Sequence, residues 1–115
     1  MADGQRKTAA SFPDKFGKAV RVGDFIVYGH AWGRSACLKL GKILKIEMVQ
    51  IEKYGYREGV KWTWEWSIRV QGVEDHYGPL ELSKPGTLLY PERSVKVSID
   101  DLPEKYLNLF EEETA

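Results

Sequence analysis

At 115 residues the chain has room for one domain with a core of its own and not for two. With 43% apolar and 30% charged residues its composition is globular, which excludes a disordered chain, and no run approaches the ~18 apolar residues of a membrane-spanning helix. A formal net charge of zero argues against a dedicated basic nucleic-acid binder, and the single cysteine, Cys37, excludes an internal disulfide and a metal site built on cysteine pairs.

The first dozen residues are small and polar, with the basic pair Arg6 and Lys7 and no apolar period, so residues 1–15 read as a disordered tail and 16–115 as the domain. Met1 to Ser11 lacks the apolar run of a secretory signal, and a cytoplasmic location without membrane contact is expected. Val22-Gly23-Asp24 has turn composition and feeds a strand, Phe25 to Tyr28. Gly29 to Ala36 reads as a loop carrying His30, Trp32 and Arg34.

Cys37 to Glu52 is the longest strand-like run. Leu38, Leu40, Leu44, Ile46 and Met48 share one parity, and Lys39 and Lys45 share the other as a basic strand face, with Lys42 off it. Ile43, Val49 and Ile51 break the phase, so the strand is expected to bend or bulge, with Gly41 as one candidate point. Tyr54 to Gly59 supplies the next turn, with Tyr54, Tyr56 and Arg57 on it.

From Lys61 to Gln71 the residues Trp62, Trp64, Trp66, Ile68 and Val70 alternate with Thr63, Glu65, Ser67, Arg69 and Gln71. A helix would scatter these five apolar residues around its circumference, so the period predicts a half-buried strand. Thr87 to Tyr90 reads as a short strand between turns, and Val95, Val97 and Ile99 as the last one. Asp101 is placed to cap a short helix with Pro103 in its first turn, Glu104 at the capping-box position and Tyr106, Leu107 and Phe110 as its apolar stripe. Whether that acidic helix packs on the sheet is open.

Five strands and a terminal helix suit a mostly β fold: a small five-stranded antiparallel barrel with a short C-terminal helix. The Val22-Gly23-Asp24-Phe25-Ile26-Val27-Tyr28 opening, followed by Leu40-Gly41-Lys42-Ile43-Leu44-Lys45-Ile46, resembles the start of SH3-like barrels of the KOW or Tudor kind. Together with the Trp-rich strand and the segment Leu88 to Ser94, it is similar to small barrel proteins of tailed bacteriophages, mostly of unassigned function. The resemblance implies a phage origin more than a role; zero net charge and the many aromatics favour an accessory protein that docks on a host or phage protein.

For chemistry there is no His-x-x-x-His or Cys-x-x-Cys pair, no phosphate-binding glycine loop and no Gly-x-Ser-x-Gly elbow, so no enzyme, cofactor or metal is expected. Glu74, Asp75 and His76 are adjacent, and adjacent side chains on an extended chain point apart. Four Trp and six Tyr exceed what a small barrel readily encloses, since each buried aromatic takes up about 150–250 Å². Trp66 is expected in the core, whereas Trp62 reads as core or surface and Trp32 as a lid or an exposed contact. Exposed, His30, Trp32, Arg34, Tyr54, Tyr56, Arg57 and Trp62 would form one aromatic and basic rim.

A non-enzymatic protein-binding module is therefore expected. The alternatives are a nucleic-acid-binding barrel using Lys39, Lys42 and Lys45 with Arg34 for phosphates and Trp32 for stacking, and a structural virion component. Charge is uneven along the chain: residues 1–45 hold nine Lys/Arg against three Asp/Glu, and residues 74–115 four against ten. Opposed basic and acidic faces result if the fold keeps these segments apart, and cancellation if strand pairing mixes them.

Overall fold

The computed structural model of the chain describes residues 5–32, 35–55, 59–74 and 79–114, with backbone alone over 30–32, 35–36 and 112–114. It is mostly β with one C-terminal helix. Three long strands form an antiparallel meander: β4 (Phe25–Trp32), β5 (Ser35–Gly55) and β6 (Gly59–Glu74). Among the described residues four short strands join it, β1 (Arg6–Thr8), β7 (Glu81–Leu82), β8 (Gly86–Leu88) and β9 (Ser94–Val97), while β2 (Phe12–Pro13) and β3 (Ala19–Val20) pair with each other as a separate two-stranded sheet and α1 spans Glu104–Thr114.

The sheet order is β7-β6-β5-β4-β9, with β1 added to β5 and β8 to β6. Among the described residues its end strands, β7 and β9, do not pair with each other, so the sheet is open. The radius of gyration, 16.1 Å, exceeds the roughly 13 Å of a compact domain of this size, and the molecule measures 52 × 33 × 29 Å.

The broken phase of β5 has a local cause. Ile43 and Ile46 are buried in the same core on one face of the sheet, which an unbroken strand forbids for residues three apart. A register shift between Ile43 and Lys45 accommodates Leu44 as an extra residue, and the side-chain phase reverses there. The bulge thus lies at Leu44, not at Gly41, and the single apolar parity expected from Leu38 to Met48 does not exist. Leu38 is 74% exposed, while Leu40 packs on one face of the sheet and Ile46 on the other.

Gly41 has a different task. It pairs with Gly72, and the Tyr28 side chain crosses both. A Cβ at Gly41 would overlap the Val70 Cγ1 methyl and lie 2.9 Å from Tyr28 Cε1. Gly41→Ala is therefore expected to destabilise the protein by about 2–3 kcal/mol through overpacking, read as a lower urea midpoint at unchanged slope.

Each face of the sheet carries a core. On one, Ile26, Ile43, Ile46, Ile68, Val70 and Leu88 are covered by Phe12 and Val20 of the β2–β3 hairpin, with Trp66 and Tyr28 packed at the side. On the other, Phe25 and Val73 are covered by α1, whose Phe110 meets the Phe25 ring edge-on at 5.1 Å. The acidic helix therefore packs on the sheet, its stripe carried by Tyr106, Leu109 and Phe110.

Several expectations are corrected. The tail predicted over 1–15 contains β1, which pairs with Glu47–Val49, and β2, which places Phe12 in the core at 1% exposure. The predicted loop from Gly29 to Ala36 is largely strand: the β4–β5 ladder runs out to Trp32 and Ser35. Ile99 belongs to a 3-10 turn, Ile99–Asp101, and is exposed. Asp101 lies in that turn, so Pro103 rather than Asp101 precedes α1, and its carbonyl accepts from Tyr106 N at 3.0 Å. The turn ahead of β4 is as expected, with Gly23 at φ +92°, a backbone conformation that favours glycine.

The charged segments interleave. The β9 strand pairs with β4, and Lys39 Nζ of the basic segment meets Glu74 Oε1 of the acidic one at 2.8 Å. No helix among the described residues is long and apolar enough to cross a membrane.

Candidate binding surface on the β5–β6 arm

Beyond Val49, the last partner of β1, and before Ile68, the first partner of β8, β5 and β6 pair only with each other among the described residues. Gln50–Gly55 and Gly59–Trp64 thus form a two-stranded arm that projects from the sheet. Directly opposed residues of an antiparallel pair share a face. Trp66 lies opposite Met48, Trp64 opposite Gln50, Trp62 opposite Glu52 and Val60 opposite Tyr54.

Along this face the side chains pass from core to solvent. Trp66 packs edge-on against Phe12, with ring centroids 6.2 Å apart. Trp64 is 36% exposed and carries the Lys7 ammonium 4.2 Å from its ring centroid. Further out, Trp62 is 43%, Val60 47% and Tyr54 78% exposed. Of the two readings open for Trp62, the structure places it at the surface, and Trp66 is packed on the core as expected.

Gln5 ties the N-terminal segment to the base of the arm. Its carbonyl accepts from Gln50 N at 2.9 Å, and its own N–H donates to Gln50 Oε1 at 3.3 Å. The opposite face is mainly polar. Lys53 and Glu65 form an ion pair at 2.5 Å, whose hydrogen bond holds the Lys53 ammonium above its ordinary pKa, beside Ile51 at 37% exposure. A short two-stranded ribbon is marginally stable alone in water, and an exposed contiguous aromatic face is characteristic of an interaction site.

The single rim expected from the sequence is not assembled. His30 and Trp32 lie on β4 at the hairpin where β5 begins, whereas Tyr54 and Trp62 lie where β5 ends. The two positions lie at opposite ends of β5, a strand of 21 residues. Arg34, Tyr56 and Arg57 lie outside the described residues, as do the side chains of His30 and Trp32.

Nor do Lys39 and Lys45 form one basic strand face. The bulge at Leu44 puts Lys39 and Lys45 on opposite faces; the Lys39 side chain is 11% exposed and bonded to Glu74, while Lys45 is 60% exposed and sits 3.4 Å from Glu47. Beside Lys39, burial pushes the Tyr28 phenol above its ordinary pKa, with the charges of Glu74 and Cys37 adding to the effect. Asp75 and His76 lie outside the described residues, and among those described no cluster of three His, Cys, Asp or Glu is placed to hold a metal.

The sequence reading missed Trp64, Val60 and Lys7. The first two were legible in the alternation that contains Trp62, whereas Lys7 depends on where β1 docks. No protein family, curated protein or solved structure matches the chain, so the site's own geometry carries its interpretation.

Proposed function

We propose that the chain is a non-enzymatic binding module that docks on a protein partner through the aromatic face of the β5–β6 arm. The observation that carries this is the row Tyr54, Val60, Trp62 and Trp64, contiguous and partly exposed on an element that stands clear of both cores. Trp and Tyr are the residue types that dominate protein interfaces. Glu52 opposite Trp62, Glu65 behind the face and the engagement of Lys39 by Glu74 disfavour a phosphate-binding strip. The phage-barrel resemblance points to a host or phage protein as partner. An SH3-like barrel is the finer fold reading, supported by the Gly23-Asp24 opening turn and the bulge in β5.

The test is capture from nuclease-treated bacterial lysate by the wild-type chain beside a Tyr54→Ala, Trp62→Ala double variant. A stoichiometric protein that persists at high salt is expected, with affinity reduced about thirtyfold or more in the variant, the effect of losing a hot-spot aromatic of about 2 kcal/mol. Recovery of nucleic acid that salt releases would favour the nucleic-acid alternative instead.

A further inference from the structure

We propose that two copies of the chain associate edge to edge through β6, about a twofold axis at Thr63, forming one continuous antiparallel sheet. This concerns the edge of β6 and does not rest on the aromatic face having a partner. From Gly59 to Ser67 the outer edge of β6 pairs with no strand among the described residues, because β8 begins only at Ile68. An unpaired edge of this length is a template for another strand.

The sequence on that edge, Lys61-Trp62-Thr63-Trp64-Glu65, is self-complementary when run antiparallel to itself. With Thr63 opposite the partner's Thr63, Lys61 falls opposite the partner's Glu65 and Trp62 opposite the partner's Trp64, and the twofold repeats each pair. Sliding the strands by one pair in either direction removes both charge pairs. Lys53 engages Glu65 through Oε1, and a carboxylate accepts through both oxygens, so a second ammonium can approach.

Thr63 supplies an independent observation. Its Oγ1 is buried without a hydrogen-bond partner in the single chain. Opposed threonines across a strand pair hydrogen-bond to each other, and in this register a χ1 rotation at the axis would give each covered hydroxyl the partner it lacks in the single chain. On the other face it sets Trp62 and Trp64 of both copies side by side, doubling the aromatic platform.

The experiment is sedimentation equilibrium of the full chain from micromolar to submillimolar concentration, with Lys61→Glu, Glu65→Lys and an equimolar mixture of the two variants. The wild-type chain is expected to dimerise. Each single variant replaces two attractive contacts by two repulsive ones and is expected to weaken self-association about tenfold to a hundredfold. The mixture restores both attractions and is expected to form a heterodimer of wild-type affinity, which also shows that the variants fold. A wild-type chain monomeric throughout, single variants that dimerise like wild type, or a mixture that stays monomeric overturns the proposal.

Discussion

Phe12→Ala is expected to destabilise the protein by about 3–5 kcal/mol, a large part of the 5–15 kcal/mol that holds a typical domain together. Phe12 is 1% exposed, lies in the core with Val20, Ile26, Ile43, Ile46, Ile68 and Val70, and supports the Trp66 ring. Removing the ring forfeits the transfer free energy of its apolar surface and leaves a cavity between the β2–β3 hairpin and the sheet, which close-packed neighbours fill only in part. Phe16, on the same hairpin but 72% exposed, is the control, and Phe16→Ala is expected within about 0.5 kcal/mol of wild type. Urea denaturation of the three proteins decides the matter. A loss for Phe12→Ala no larger than that for Phe16→Ala would mean that residues 5–20 contribute nothing to the folded core.

Asp14→Ala is expected to cost a similar amount, about 3–5 kcal/mol, for a different reason. The Asp14 carboxylate is buried and accepts three backbone hydrogen bonds, from Phe16 N at 2.8 Å and Lys18 N at 2.9 Å within its own hairpin and from Lys96 N of β9 at 2.8 Å. It therefore closes the β2–β3 turn and ties the hairpin to a strand 82 residues away. Alanine would leave these donors without that acceptor, and a buried unsatisfied amide costs more than a hydrogen bond gains. Asn keeps one carbonyl oxygen for the turn but turns an amide donor toward Lys96 N, so Asp14→Asn is expected to fall between wild type and Asp14→Ala.

The same carboxylate makes stability depend on pH. Burial raises its pKa, but the hydrogen bonds from Lys96, Lys18 and Phe16, with the charge of Lys18, outweigh that and hold it below the ordinary aspartate value of 3.8. A group whose folded pKa is depressed binds its proton less readily in the folded state. Its contribution is fully present above the unfolded value and is lost as the pH falls below 3.8 toward the folded one. Wild-type stability is thus expected to drop through that acid window with a component that Asp14→Asn lacks, measured as urea midpoints at stepped pH. Parallel profiles for the two proteins would contradict this assignment. Phe12 and Asp14 lie on one hairpin, so their losses are not expected to add.

Much of the fold was written in local pattern. The uninterrupted alternation from Trp62 to Val70 specifies a strand whatever surrounds it, because a two-residue period sets five apolar side chains on one face. The irregular phase of Cys37 to Glu52 announced a bulge, since buried residues three apart cannot share a face of a regular strand. Gly23 at its turn and the stripe of Tyr106 and Phe110 on α1 were legible for the same reason: the signal lies within a few neighbouring residues.

What the tertiary structure alone decided depends on contacts distant along the chain. Phe12 and Val20 have no period between them, and only the open face over Ile46 and Ile68 gives them a place to bury. Asp14 reads as a turn residue until Lys96 N is brought to it. The side-chain phase reverses at Leu44, separating Lys39 from Lys45, because register is a property of the pair β5–β6 and not of β5 by itself. The length of β5 sets its two ends apart, so His30 and Trp32, paired with its start, lie far along the ladder from Tyr54 and Trp62 at its end. Composition and period, by themselves, determined that the chain is a mostly β domain with more aromatic surface than its cores enclose; strand pairing and packing decided that this surplus stands on an arm at Tyr54, Val60, Trp62 and Trp64, since exposure is set by which neighbours arrive to cover a residue and not by the residue itself.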